Sequence, residues 1–193
     1  MTTGNMSEDA QLQQYVSSYT NANEQTWLTQ ALRILINAGL KSQQGAAFII
    51  SNNTQIRITN FSWWQQGMGI RWTLDGAIEM RDDYVSWQSE VKQHLLPGLV
   101  HEAKHLEQGK RIALSQLGEV QAWFTEYQVR QELHLGRGNI PREVADWGAN
   151  PTKTQFDRAR QAIIQRQSRR YLFWLLPRYP YLANYEVNLS KLP

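Results

Sequence analysis

The chain contains no cysteine. Disulfide staples and thiolate metal sites are therefore excluded, and any bound metal must be held by His, Asp or Glu. Histidine is scarce, with four in 193 residues. Neither sign of charge is in large excess, since 20 Lys and Arg against 17 Asp and Glu leave a net charge of +3. That imbalance is too small to argue for a nucleic-acid partner by itself. Long apolar runs are missing, and stretches such as Tyr171–Leu176 fall far short of a bilayer span. Met1–Gln14 is polar, carries Glu8 and Asp9, and lacks a basic start followed by an apolar core. This pattern predicts no secretory signal, no membrane partner and a cytoplasmic protein.

What is present is a chain able to build a core. Hydrophobic residues make up 41% of it, and eight residues are Trp. One domain over 1–193 is expected, with 1–7 as a disordered lead-in. Ala10–Tyr19 predicts a short helix. Asn23 or Thr26 is placed to cap a second, in which Trp27, Leu28, Ala31, Leu32, Leu35 and Ile36 recur at helical spacing before Gly39. The pattern then changes. Ala46–Ser51 is a short apolar run, Gln55–Phe61 alternates, and Asp75-Gly76 separates Gly69–Leu74 from Ala77–Arg81. An Asp-Gly pair between such segments is a hairpin signal. Three or four short antiparallel strands are expected within 46–81. Helical patterns resume over Leu95–Gly109, over Leu117–Leu135 with Ser115 as cap, and from Thr152 or Thr154 to about Ser168. The fold class read from this order is α+β.

The chemistry sits in the 95–135 pair of helices. His101-Glu102-Ala103-Lys104-His105 reads H-E-x-x-H. Residues four apart on a helix share a face, so both imidazoles can point at one metal. Glu102, on the adjoining surface, can act on water beside the metal as general base. Leu95, Leu96, Leu99, Val100, Ala103 and Leu106 give the apolar surround of a buried helix. A catalytic zinc usually takes three protein ligands. Glu119, fourteen residues beyond His105, is the candidate third ligand, because an antiparallel return brings it back over the first helix. Glu126, two turns further on, and His134 are the alternatives.

With these residues in place the sequence resembles the zincin metallopeptidases, in the gluzincin branch. The matching positions are His101, Glu102, His105, Glu119 and Ala122, and the resemblance spans roughly Ala77–Leu135. It implies a zincin-like fold, a Zn2+ cofactor, a peptide or protein substrate and a metallopeptidase activity. It also implies an edge strand that binds extended substrate just before the active-site helix, here Ala77, Ile78, Glu79, Met80 and Arg81. The branch that needs a Gly and a third His soon after the motif is set aside, since Gln108 and Arg111 stand at those offsets. The family's transition-state stabiliser matches no motif, and Tyr127, His134 and Tyr84 are its candidates. Two other readings stay open. One is a noncatalytic module of the same fold, with a structural metal or none. The other is a nucleic-acid binder using Arg158, Arg160, Arg166, Arg169 and Arg170. Most of the Trp residues are expected in the core, with one of Trp63 and Trp64 exposed.

Overall fold

The computed structural model describes residues 7–60, 69–85, 90–148, 151–166 and 176–178. Trp63, Trp64, Trp87, Trp174, Arg169 and Arg170 lie outside the described residues, as does the 1–6 part of the expected lead-in.

Helix α1 (Glu8–Val16) begins before the expected Ala10 because Ser7 caps it, its hydroxyl accepting from Ala10 N at 3.3 Å. Ser7 therefore belongs to the fold. Asn21 caps α2 (Ala22–Ala38), accepting from Asn23 N at 2.9 Å, in place of the expected Asn23 or Thr26. Trp27, Leu28, Ala31, Leu32 and Leu35 are buried, as their spacing requires. Gly39 ends α2, and α3 (Leu40–Ser51) starts at the next residue.

Helix α3 corrects the expectation that Ala46–Ser51 opens the sheet. Its buried residues are Ser42, Gly45, Ala46 and Ile49, spaced three, one and three apart, which is a helical face. A short apolar run has no period of its own to separate strand from helix. The first turn of α3 is held by a distant carboxylate. Glu132 accepts from Lys41 N and Ser42 N at 2.8 Å each, and from Ser42 Oγ at 2.6 Å. Negative charge on the orphan N–H groups of a helix start is favourable.

Among the described residues the sheet has three strands, β1 (Ile56–Thr59), β2 (Ile70–Trp72) and β3 (Ile78–Arg81), in the order β1-β3-β2. It is mixed, where antiparallel strands only were expected. β3 pairs antiparallel with β2 through the predicted Asp75-Gly76 turn, and parallel with β1. Gly76 takes φ 89°, which the turn needs and glycine supplies without strain. The expected edge strand Ala77–Arg81 is also corrected, because β3 is central. Ile78 and Met80 are fully buried on one face while both sides of the strand are paired. Among the described residues the edges fall to β1 and β2.

Two long helices follow. α4 (Leu96–Ala113) has Pro97 in its first turn, where its missing N–H costs nothing. Gly109 interrupts α4 with φ 70° and ψ 160°, near the stop expected, and one further turn reaches Ala113. α5 (Gln116–Glu132) is capped by Ser115 as predicted, the hydroxyl accepting from Gly118 N at 3.0 Å. Two further helices follow, α6 (Arg142–Ala145) and α7 (Lys153–Arg166). Thr152 and Gln155 form a capping box there, each side chain taking the other's backbone N–H, at 3.2 and 2.8 Å.

The core divides in two. One apolar cluster joins α1–α4 and the sheet and reaches Val129 of α5. The second joins Leu117 and Val120 of α5 to Val144, Trp147, Phe156 and Ile163. α5 thus has a core on each side, which fixes it against α4. The two helices meet closely where α5 begins. A Cβ on Gly118 would lie 2.1 Å from Ile112 O, a backbone atom that cannot swing away. Gly118→Ala is expected to destabilise the chain by about 1–3 kcal/mol through overpacking, read by chemical denaturation. An unchanged midpoint would mean that the helix junction is loose. Among the described residues no helix is long and apolar enough to cross a membrane.

Candidate metal centre

His101 and His105 sit one turn apart on the buried side of α4, and Glu119 sits in the first turn of α5, facing them. All three are buried, His105 to 1% exposure. The tight α4–α5 junction explains how a residue fourteen positions away returns to the histidines. The chain turns through Leu114 and Ser115, the Ser115 cap starts a new helix at once, and Gly118 lets that helix close on α4. An acidic residue in a first helical turn is also favoured by the helix dipole.

The ligand atoms converge. His101 Nε2 and His105 Nε2 are 3.2 Å apart. Glu119 Oε1 lies 3.5 Å from His105 Nε2, and Glu119 Oε2 lies 3.8 Å from His101 Nε2. Zinc bonds of 2.0–2.1 Å at a tetrahedral angle give ligand–ligand edges of about 3.4 Å. The nitrogen pair lies near that value and each Glu119 oxygen faces one of the nitrogens, while one ligand atom from each of the three residues lies within 4.8 Å of the others. Electron-rich atoms this close in a dry site repel one another unless a cation or an imidazole proton stands between them. The donor set of two imidazoles and one carboxylate suits zinc. Among the described residues, His101, His105 and Glu119 form the group of His, Asp and Glu side chains able to hold a metal.

Glu126 lies elsewhere. Its Oε2 is 3.1 Å from His101 Nδ1, the ring nitrogen on the side away from Nε2. The carboxylate accepts from Nδ1–H, which leaves Nε2, whether protonated or free, directed at Glu119 and His105. Glu102 turns toward the sheet. Its Oε2 accepts from the backbone N–H of Trp72 in β2 at 2.9 Å. Burial raises the Glu102 pKa above the ordinary carboxylate value, against the opposing pull of His101 and His105.

Two indoles wall the histidines. The Trp72 ring packs on His105 with centroids 5.8 Å apart, and Trp123 meets His101 edge-on at 5.6 Å. Sequence reasoning assigned both rings to the core. Trp123 carried a usable signal, because it stands four residues beyond Glu119 on the same face of α5. Trp72 carried none, since its approach to Glu102 and His105 is set by the docking of the sheet on α4.

Tyr127 and His134 are placed apart from this group. Tyr127 packs in the second apolar cluster and stacks with Phe124. His134 is exposed, beyond the last turn of α5 with φ 56°. Fifteen residues separate it from Glu119, about 22 Å along a helix. The backbone of Tyr84 lies in a tight turn after β3, and its side chain is outside the described ones.

His101 titrates high. Burial pushes its pKa down, but the Glu126 hydrogen bond and the charges of Glu102, Glu126 and Glu119 outweigh this, and the value rises from 6.5 to about 9. In protein stripped of metal, the proton on His101 contributes stability that is complete below pH 6.5 and lost as pH rises through about 9. A metal must displace that proton. Zinc affinity is therefore expected to rise about tenfold per pH unit between pH 7 and 9. Competition titrations across that range check it. A flat profile would show that no ligand holds a proton there.

No family model matches the chain, and comparison with curated proteins and with solved structures gives no significant match.

Proposed function

We propose that the chain is a zinc-dependent peptidase of the zincin type, in the gluzincin branch. The observation that carries this reading is the convergence of His101 Nε2, His105 Nε2 and a Glu119 carboxylate oxygen within 4.8 Å of one another in a buried site, with Glu102 next to His101 on the same helix. The residues present fit the ion in number, donor type and burial. Three protein ligands leave one position open, which is the pattern of a catalytic rather than a structural zinc.

Bound there, zinc acts as a Lewis acid and makes water a nucleophile near neutral pH. The chain's own residues do the rest. Glu102 takes the proton of the attacking water and delivers it to the leaving amine nitrogen. The raised pKa of Glu102 suits both halves of that task. The Trp72 N–H fixes the Glu102 carboxylate, so the base is tied to the sheet. The Trp72 and Trp123 rings exclude water around the ligands and strengthen electrostatics within the site.

β2 is the strand that would receive an extended substrate, in place of Ala77–Arg81. Thr73 N bonds Ala77 O at 2.8 Å and Arg81 N bonds Gly69 O at 3.0 Å, so alternate residues of this segment face β3. Main-chain groups of Ile70 and Trp72 then face the other way; Trp72 N–H is taken by Glu102, which leaves the Ile70 main chain and the Trp72 carbonyl toward a peptide added at the edge.

The test is a peptide-library digest by zinc-loaded protein, read by mass spectrometry. Cleavage that a chelator stops and zinc restores is the expected result. No cleavage by protein carrying one zinc per chain would reject the peptidase reading and favour a noncatalytic role.

A further inference from the structure

We infer that Glu126 is the positioning residue of the metal centre, and that the two histidines are unequal ligands: the outer nitrogen of His101 is anchored by Glu126, and that of His105 has only packing around it. This rests on the metal reading above.

Three observations lead there. First, α5 supplies both groups that grip His101. Glu119 and Glu126 are seven residues apart, two turns or about 10.5 Å along one face. The imidazole of His101 bridges them, with Nε2 3.8 Å from Glu119 Oε2 and Nδ1 3.1 Å from Glu126 Oε2. Second, Glu126 cannot share the ion with the other three. It bonds the ring nitrogen that points away from them. A carboxylate in that position fixes the tautomer, orients the ring and makes the other nitrogen a better donor. Third, His105 has no such support. Its Nδ1 is buried and has no hydrogen-bond partner among the described residues. The ring is held by Trp72 at 5.8 Å and by His101, which meets it edge-on at 4.9 Å.

The asymmetry has a consequence that a symmetric pair of histidines would not show. Removing Glu126 weakens the metal through His101 only, and it does so without removing a ligand. Glu126→Ala is expected to lower zinc affinity about 10–100-fold, while the visible spectrum of the cobalt-substituted protein keeps the wild-type ligand count. Glu126→Gln retains an acceptor of the same shape and is expected to lose less. His101→Ala is expected to lose more affinity than His105→Ala.

The experiment is zinc competition titration and cobalt spectroscopy on wild type, Glu126→Ala, Glu126→Gln, His101→Ala and His105→Ala, each checked for folding by circular dichroism. Should Glu126→Ala fail to fold, the ranking of Glu126→Gln and of the two histidine variants still decides. Wild-type affinity in a folded Glu126 variant, or equal losses for the two histidines, would overturn the inference and leave the metal site standing. A change in cobalt coordination in Glu126→Ala would make Glu126 a ligand and also overturn it. Wild type that takes up neither metal would remove the metal reading itself.

Discussion

Glu102→Gln is expected to keep one zinc per chain and to lose peptide hydrolysis by about 10²–10⁴-fold, the range for removing a general base. The two effects separate because Glu102 is not among the converging ligand atoms. Its carboxylate faces β2, where Oε2 accepts from Trp72 N at 2.9 Å. A glutamine amide oxygen can accept the same bond, so the side chain keeps its place and its size. What it loses is the ability to hold a proton between water and the leaving amine. Steady-state kinetics beside zinc content decide the matter. Full turnover by a zinc-loaded Glu102→Gln variant would assign the proton transfer to another group.

Glu119→Ala is expected to have the opposite signature, in which the metal goes first. This change removes the one carboxylate whose oxygens lie 3.5 and 3.8 Å from the two Nε2 atoms. Two imidazoles remain, and zinc affinity is expected to fall by more than the roughly 100-fold upper range for an outer-shell change. The chain itself should still fold, since the apolar cluster around Leu117 and Val120 does not depend on this side chain. Thermal melts with excess zinc therefore separate the two proteins. Wild type gains stability from binding, and Glu119→Ala gains little. An equal zinc-induced shift in both would show that Glu119 holds no metal. His101 offers a second readout. The Glu119 charge helps hold its pKa near 9, so the variant titrates lower.

Much of the site was legible because its parts are local. His101, Glu102 and His105 lie within one helical turn and a half, so spacing alone places them on one surface. Glu119 needed one further inference, an antiparallel return, and Gly109, Ser115 and the short link gave the signals for it. Ser115 caps as read, and Gly109 breaks the helix as read. The hairpin at Asp75-Gly76 was likewise a local signal.

The illegible parts depend on tertiary contacts. Ala46–Ser51 is apolar in a run, and its helix is supported by contacts from distant residues, the Glu132 cap and the docking of Gly45 on α4. A Cβ at Gly45 would meet Val100 Cγ1 at 2.6 Å. The strand order β1-β3-β2 could not be read either. The alternation of Ile56 and Ile58 and of Ile78 and Met80 shows which side is buried, not which strand sits in the middle. The edge strand was assigned to Ala77–Arg81 because those residues immediately precede the helix, and the parallel pairing with β1 makes that strand central. Glu126 was readable as a residue on the metal-facing side of α5, but not as the partner of His101 Nδ1. That distinction is a matter of which ring nitrogen it meets.

The measurement that tests the account most directly is the metal content of purified protein by elemental analysis, wild type beside His101→Ala/His105→Ala. The account predicts about one zinc per wild-type chain and none in the double variant. Wild-type protein without metal after incubation with zinc, or zinc retained equally by the double variant, would contradict it.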